Sequence, residues 1–308
     1  MKTSGFLLFR LNLVDRDVLF QKPISRDEDL IRVFQLAANP DFDVTRSGRR
    51  TTYRWALREV TADSIEPSDR SFMIAVFTSE IMSRRGPIVT PDGIAHGTST
   101  MNPPPAVLVH IFVDLARHIC AIEDVPSVMQ VHASWRTILQ TILNTAAWKL
   151  EFTSMLRLNP VVPEESIIAR LKSLDRITRL RTTLRIPNPD LGPTFKQLFD
   201  EMQRGGIREL TQDMRNERGL NLAPDTLPQA VLDMAATGYR KGKIHVYGVK
   251  DGNREELTIA DDIARVEGEE LGDYIEGYVE GYSAASRSSA VKRFATSIVK
   301  KIDERLER

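Results

Sequence analysis

The sequence contains very little cysteine and no long apolar segment, and both absences restrict the class of protein. Cys120 is the single cysteine among 308 residues, which excludes an internal disulfide framework and a cysteine-rich zinc site. No segment approaches the roughly 18 consecutive apolar residues of a membrane-spanning helix. The N-terminal apolar run, Phe6–Phe9, is too short for a signal peptide core. These features predict a cytoplasmic protein without disulfides.

The sequence also lacks the motifs of familiar catalytic sites. No glycine-rich loop leads into Gly-Lys-Ser/Thr, no Gly-x-Ser-x-Gly elbow occurs, and no His-x-x-x-His pair is present. No lysine has an Asp or Glu two residues before it, so the common metal-dependent nuclease ending is missing. The spacing of Arg240 and His245 matches helical ribonucleases of the HEPN group, but Gly242 and the alternation after it predict a strand. We therefore expect no cofactor, no metal and no familiar enzyme.

Acidic and basic residues are equal in number but unevenly distributed. Lys and Arg total 42, Asp and Glu total 42, and the net charge is zero. Residues 157–185 contain seven Arg or Lys against three acids, whereas residues 251–280 contain eleven acids against two Arg. The zero net charge excludes a uniformly basic DNA-coating protein. The segregation of charge nevertheless permits a local basic surface.

The hydrophobic patterns predict an α+β protein of two domains with mixed or antiparallel sheets and a C-terminal helix. Asn159-Pro160 marks the predicted boundary between an N-terminal domain, 1–160, and a C-terminal domain, 161–308. In the first domain we predict strands at 5–14, 50–62, 71–77, 106–113 and 118–122, helices at 25–38 and 128–147, and a Pro/Gly-rich connection over 86–105 preceded by a turn at Arg84-Arg85. In the second we predict a β-α-β unit over 150–186, helices at 194–203, 207–218, 228–236 and 283–306, and a hairpin of 243–249 with 255–259.

The segment from Asp175 to Pro189 is the strongest functional lead. Read as a strand, it places Arg179, Arg181 and Arg185 on the face opposite to its apolar residues, because side chains alternate. Guanidinium groups two residues apart are separated by about 6.5–7 Å, a spacing that suits a repeating anion such as a phosphate backbone. Arginines in register repel each other unless acids or anions offset them, and the sequence does not tell which of these is present.

Other basic groups extend this lead. Lys241 precedes the predicted strand 243–249 and Lys243 begins it, and Lys292 and Arg293 lie on the terminal helix. The candidate nucleic-acid-binding residues are therefore Arg179, Arg181, Arg185, Lys241, Lys243, Lys292 and Arg293. Further basic groups are Arg46, Arg49, Arg50, Arg84 and Arg85, together with Lys300 and Lys301. For all of these groups, a solvated surface charge or a partner for the acidic segment 251–280 is the simpler interpretation.

The order of segments resembles that of the RexA-like and KwaB-like phage-exclusion and phage-defence proteins of bacteria. The shared features are an opening Gly-Phe-Leu-Leu-Phe-Arg strand, a hairpin over Val107–Ile122 with a long helix after it, a basic strand ending in Arg185-Ile-Pro-Asn-Pro, and a basic C-terminal helix. The resemblance covers most of the chain and is one of layout. It implies a non-enzymatic, dimeric DNA-binding protein that acts through a partner effector, including a membrane-bound one.

Together these observations predict largely sequence-independent binding of nucleic acid, with double-stranded DNA favoured, by a cytoplasmic homodimer in phage defence. Two alternatives remain open. The arginine face could mediate self-assembly by docking on the acidic segment 251–280 of a second copy. The protein could also be a metal-dependent nuclease with an unfamiliar site.

Overall fold

The computed structural model describes residues 3–15, 24, 26–65, 68–100, 102–129, 134–185, 201–202, 204–207, 209–224, 226–259, 263–269 and 284–306. In these ranges the strands are β1 (Thr3–Asp15), β2 (Val44–Ser47), β3 (Thr51–Ile65), β4 (Arg70–Thr90), β5 (Gly93–Thr100), β6 (Ala106–Asp114), β7 (Ile119–Glu123), β8 (Ser154–Pro160), β9 (Arg176–Arg185), β10 (Glu209–Arg215), β11 (Ile244–Lys250), β12 (Asn253–Ile259) and β13 (Arg265–Glu269). The helices are α1 (Asp27–Ala37), α2 (Pro126–Met129), α3 (Trp135–Lys149), α4 (Glu164–Lys172), α5 (Leu227–Ala236) and α6 (Ala284–Leu306). The predicted α+β class with antiparallel pairing and a C-terminal helix is confirmed. Among the described residues, no helix is both long and apolar enough to cross a membrane.

Two compact units divide the chain, and each contains segments that are distant in sequence. The N-terminal unit comprises residues 14–115 and 121–156. The C-terminal unit comprises residues 1–13, 116–120 and 157–308. The first strand therefore contributes most of its length to the C-terminal unit, which no local pattern in the sequence indicated.

The N-terminal unit is built on the long antiparallel pair of β3 and β4. β2 pairs with β3, and β6 pairs with β4. Trp55 on β3 stacks on Phe77 of β4 with ring centroids 5.4 Å apart, and both side chains are buried. Helix α3 buries one stripe of apolar side chains, as its period of 3.6 residues predicted, and packs against α1.

The connection predicted over 86–105 is wrong, because β4 continues to Thr90 and β5 returns beside it as an antiparallel ribbon. Arg84 and Arg85 lie within β4 rather than in a turn, opposite Ser99 and Thr98. Pro87, which suggested a loop, is paired with His96. A two-stranded ribbon has open edges, and open edges are where strands tolerate proline.

The C-terminal unit contains two sheet regions. In the first, β1 pairs antiparallel with β13, and α6 packs on β13 with Phe294 in contact with Phe6, ring centroids 5.5 Å apart. The second is a four-stranded antiparallel sheet with the order β10-β9-β11-β12. One face of this sheet packs on α5, and the core between them includes Leu180, Leu184 and Val231.

Two predictions for the C-terminal unit are wrong. Within the segment predicted as a helix, 207–218, residues Glu209–Arg215 form strand β10. The β-α-β unit over 150–186 does not exist, because β8 pairs with β1 whereas β9 belongs to the four-stranded sheet. The predicted helix over 194–203 lies mostly outside the described residues.

Candidate nucleic-acid interface

Strand β9 alternates between a buried and an outer face, as its sequence predicted. Leu180, Thr182 and Leu184 are 1%, 2% and 0% exposed and point toward the core. Arg179, Arg181, Thr183 and Arg185 lie on the opposite face of the sheet. Burial of the two leucines therefore fixes the direction of the arginines.

The neighbouring strand β10 brings acids to this face. Its antiparallel register sets Asp213 opposite Arg181 and Glu209 opposite Arg185, while Arg215 lies opposite Arg179. On the other side of β9, strand β11 sets His245 opposite Arg181. We call this surface the arginine face. Its cationic members are Arg179, Arg181, Arg185, Arg215 and Lys241, and its carboxylates are Glu209, Asp213 and Glu256.

Asp213 holds two of the arginines. Arg179 donates from Nε and from its terminal nitrogen to the two carboxylate oxygens of Asp213, each at 2.7 Å. Arg215 donates to the same carboxylate at 3.2 and 2.8 Å. These hydrogen bonds, from Arg179 above all and then from Arg215, hold the pKa of Asp213 well below its usual range. Asp213 therefore stays negatively charged between the guanidinium groups of Arg179 and Arg215.

Glu209 has the same role at the other end of the face. Lys241 donates from Nζ to Glu209 at 2.8 Å, and Arg185 donates from Nε at 3.1 Å. The hydrogen bond from Lys241, supported by Arg185, lowers the pKa of Glu209. The Arg185 side chain is only 14% exposed, whereas that of Lys241 is 54% exposed. Arg185 is thus the less accessible of the two cations.

Strands β11 and β12 close the face with a smaller polar network. The Arg179 guanidinium lies 4.9 Å from the centroid of the Tyr247 ring. His245 Nδ1 lies 2.9 Å from a carboxylate oxygen of Glu256, and hydrogen bonds from His245 and then Tyr247 lower the pKa of Glu256. The register of β11 against β9 shifts after Tyr247. Glycine is needed at position 248 because a Cβ there would lie 2.5 Å from the Arg176 carbonyl oxygen.

Arg181 differs from the other arginines of this face. Its side chain is exposed and makes no hydrogen bond or ion pair with any described residue, although Asp213 is its cross-strand neighbour. Asp213 is instead occupied by Arg179 and Arg215. Five cations against three carboxylates, with His245 left out of the count, leave the face with a small positive excess. Arg181 is the cation of this face that no described carboxylate binds.

The structure brings together four of the seven predicted site residues, Arg179, Arg181, Arg185 and Lys241. Lys243 is exposed and directly precedes β11. Lys292 and Arg293 are on α6, the helix that packs on β13 of the other sheet region. Sequence reasoning missed Arg215 and its acidic neighbours because their segment was predicted to be helical. The feature of the sequence that indicates a strand here is the alternation of polar Glu209, Thr211 and Asp213 with apolar Leu210 and Met214.

The spacing of Arg240 and His245 does not build a ribonuclease site. Arg240 is 3% exposed and donates to the carbonyl oxygens of Ala235 and Gly242. His245 is engaged with Glu256 on the arginine face. No group of three or more His, Cys, Asp or Glu side chains within the described residues is arranged to hold a metal ion.

The chain belongs to the family described as "Domain of unknown function (DUF4747)", whose model matches residues 111–270, just over half of the sequence. The matched segment contains every residue of the arginine face. No curated protein shows a significant match to the chain. The family description assigns no activity, so the geometry of the face is what bears on function.

Proposed function

We propose that the protein binds the phosphate backbone of nucleic acid, with double-stranded DNA favoured, through the arginine face. The observation that carries this proposal is the exposed Arg181, which has no ion-pair partner among the described residues. Guanidinium groups bind phosphate oxygens in a bidentate manner and release counterions when they do so. Because phosphates are the same at every base pair, binding through this face is largely independent of sequence.

The ion pairs of the face do not prevent this role. Exposed ion pairs contribute only about 0–1 kcal/mol each, so a phosphate can compete for a paired guanidinium. The pairs also hold the side chains in place before the ligand arrives, which lowers the entropy cost of binding. Their carboxylates nevertheless repel phosphate, so we expect few effective contacts. Thr183 and Thr211, with hydroxyl oxygens 3.0 Å apart at the middle of the face, add neutral donors.

We further propose a biological setting for this binding. The layout resemblance to RexA-like and KwaB-like proteins supports a non-enzymatic component of bacterial phage defence in the cytoplasm. It also supports a homodimer that acts through a partner effector, including a membrane-bound one. Loss of protection against phage in cells carrying an Arg181→Glu chain, at unchanged protein level, is the result expected from this setting.

Binding to a labelled DNA duplex of random sequence, followed by fluorescence anisotropy at rising salt, tests the proposed site. Arg181→Ala should weaken binding and reduce the slope of log affinity against log salt by about 0.9, the contribution of one phosphate contact. Thr183→Val is the matched comparison, because it removes a hydroxyl donor from the same face but no charge, so the slope of log affinity against log salt should stay the same. Unchanged binding by Arg181→Ala would remove the arginine face as the DNA site.

The self-assembly alternative predicts a different result. If the arginine face docks on residues 251–280 of a second copy, Arg181→Glu should dissociate the oligomer in light scattering. In the structure, Glu256 of that segment binds His245 of the same chain, and Glu209 and Asp213 bind most of the cations. Dissociation of an oligomer without loss of DNA binding would favour assembly over our proposal.

A further inference from the structure

A second basic surface lies in the N-terminal unit, between the β2–β3 turn and the β4–β5 ribbon. It is a groove of about 960 Å³ whose twelve lining residues include four arginines and one histidine. The basic residues are Arg49, Arg50, Arg84, Arg85 and His96. We call it the arginine groove.

Backbone pairing brings the two arginine pairs together. The turn that carries Arg49 and Arg50 is closed by a hydrogen bond from the Gly48 N–H to the Thr51 carbonyl oxygen, at 2.9 Å. The Arg85 N–H then donates to the Arg50 carbonyl oxygen at 2.6 Å, which ties this turn to β4. The convergence of the arginines therefore follows from main-chain geometry.

Among the described residues, the lining of the groove contains no opposing charge. None of its twelve described lining residues is Asp or Glu. Through their side chains, the four arginines make no hydrogen bond or ion pair with any described residue, and all four are exposed. Like charges held close together repel each other, more strongly beside protein than in bulk water. Four arginines held close together without an acidic partner form a surface that is suited to bind an anion.

We propose that the arginine groove binds the phosphodiester backbone of nucleic acid, as a site separate from the arginine face. Several guanidinium groups spread along an open groove suit a chain of phosphates better than one small anion, because each can bind a different phosphate. Ser83 and Ser99 line the same groove and can donate hydroxyl hydrogen bonds to phosphate oxygens. The proposal holds whether or not the arginine face binds DNA.

The experiment uses the full chain and a labelled DNA duplex of random sequence. Arg84→Ala combined with Arg85→Ala should weaken binding by about tenfold for each arginine that contacts phosphate. Arg157→Ala combined with Arg218→Ala is the control, because these two arginines are also exposed and their side chains also make no hydrogen bond or ion pair with a described residue. Thermal unfolding of both variants checks that the fold is retained.

Three further outcomes distinguish binding in the groove from an effect of total charge and from binding of a small anion. Binding that survives in Arg181→Ala but is lost when Arg84→Ala and Arg85→Ala are added supports the groove even if the arginine face fails. Equal losses in the groove variant and the control would overturn the proposal, since only total charge would matter. Displacement of the duplex from the Arg181→Ala chain by pyrophosphate at an equal phosphate concentration would also overturn it, because the ligand would then be a small anion.

Discussion

The described residues form two arginine-rich surfaces that differ in the presence of acids. On the arginine face, Asp213 and Glu209 bind Arg179, Arg215, Arg185 and Lys241 within the same chain. In the arginine groove, four arginines converge and no lining residue is acidic. The comparison shows that the number and spacing of arginines do not measure the positive charge available to a ligand. That charge depends on whether the neighbouring strand carries acidic side chains.

The two surfaces also differ in their relation to the family. The family model matches residues 111–270, which include all of the arginine face. The groove residues lie between 49 and 105, before the matched segment. The groove is therefore a feature of this chain that the family match does not cover.

The largest effect should appear in the salt dependence of DNA binding. Replacing Arg49, Arg50, Arg84 and Arg85 by alanine should reduce the slope of log affinity against log salt by about 3 to 4, since each removes a contact worth about 0.9. Replacing Arg179, Arg181 and Arg185 should reduce it by only about 1, because Asp213 and Glu209 already offset two of the three. Equal reductions of the slope for the two sets would show that the acids of the arginine face do not lower its contribution to DNA binding.

A smaller effect should follow from moving an acid. Asp213→Asn removes a negative charge from the arginine face and should strengthen DNA binding several-fold, whereas Asp213→Glu should not. Ser99→Asp introduces a carboxylate opposite Arg84, copying the cross-strand arrangement of Arg181 and Asp213, and should weaken binding. Ser99→Asn controls for side-chain size. Anisotropy titrations of the four variants at one salt concentration measure these changes. Weaker binding by Asp213→Asn, or stronger binding by Ser99→Asp, would contradict the idea that acids set the charge available to DNA.

The smallest effect should be on stability in acid. The pKa values of Asp213 and Glu209 are lowered by their cationic partners, so these carboxylates stabilise the fold at pH values above the ordinary carboxyl range. That contribution is lost as pH falls through this range toward the lowered pKa values. Arg179→Ala should therefore reduce the fall in urea midpoint between pH 7 and pH 3. Arg84→Ala, which has no described acid partner, should leave that fall unchanged.

The extent to which the sequence predicted this structure varies from strand to strand. The alternation in β9 was predicted correctly, because Leu180 and Leu184 must be buried and period two then directs the arginines outward. Strand β10 was predicted as a helix, since Glu209, Gln212, Met214 and Arg215 all have high helix propensity. Pairing with β9 overrides that propensity. Gly86 and Pro87 likewise concealed the ribbon that carries Arg84 and Arg85.

The sequence by itself determined the α+β class, the absence of disulfides and the outward direction of Arg179, Arg181 and Arg185. All of these depend on composition or on a period of two residues, which are local properties of the chain. Only the tertiary structure decided that Asp213 lies beside Arg181 and that Arg50 lies beside Arg85. These are pairings between residues far apart in sequence, and they depend on which strands become neighbours. The charge available to a ligand is therefore set by the fold, although the charged residues are visible in the sequence.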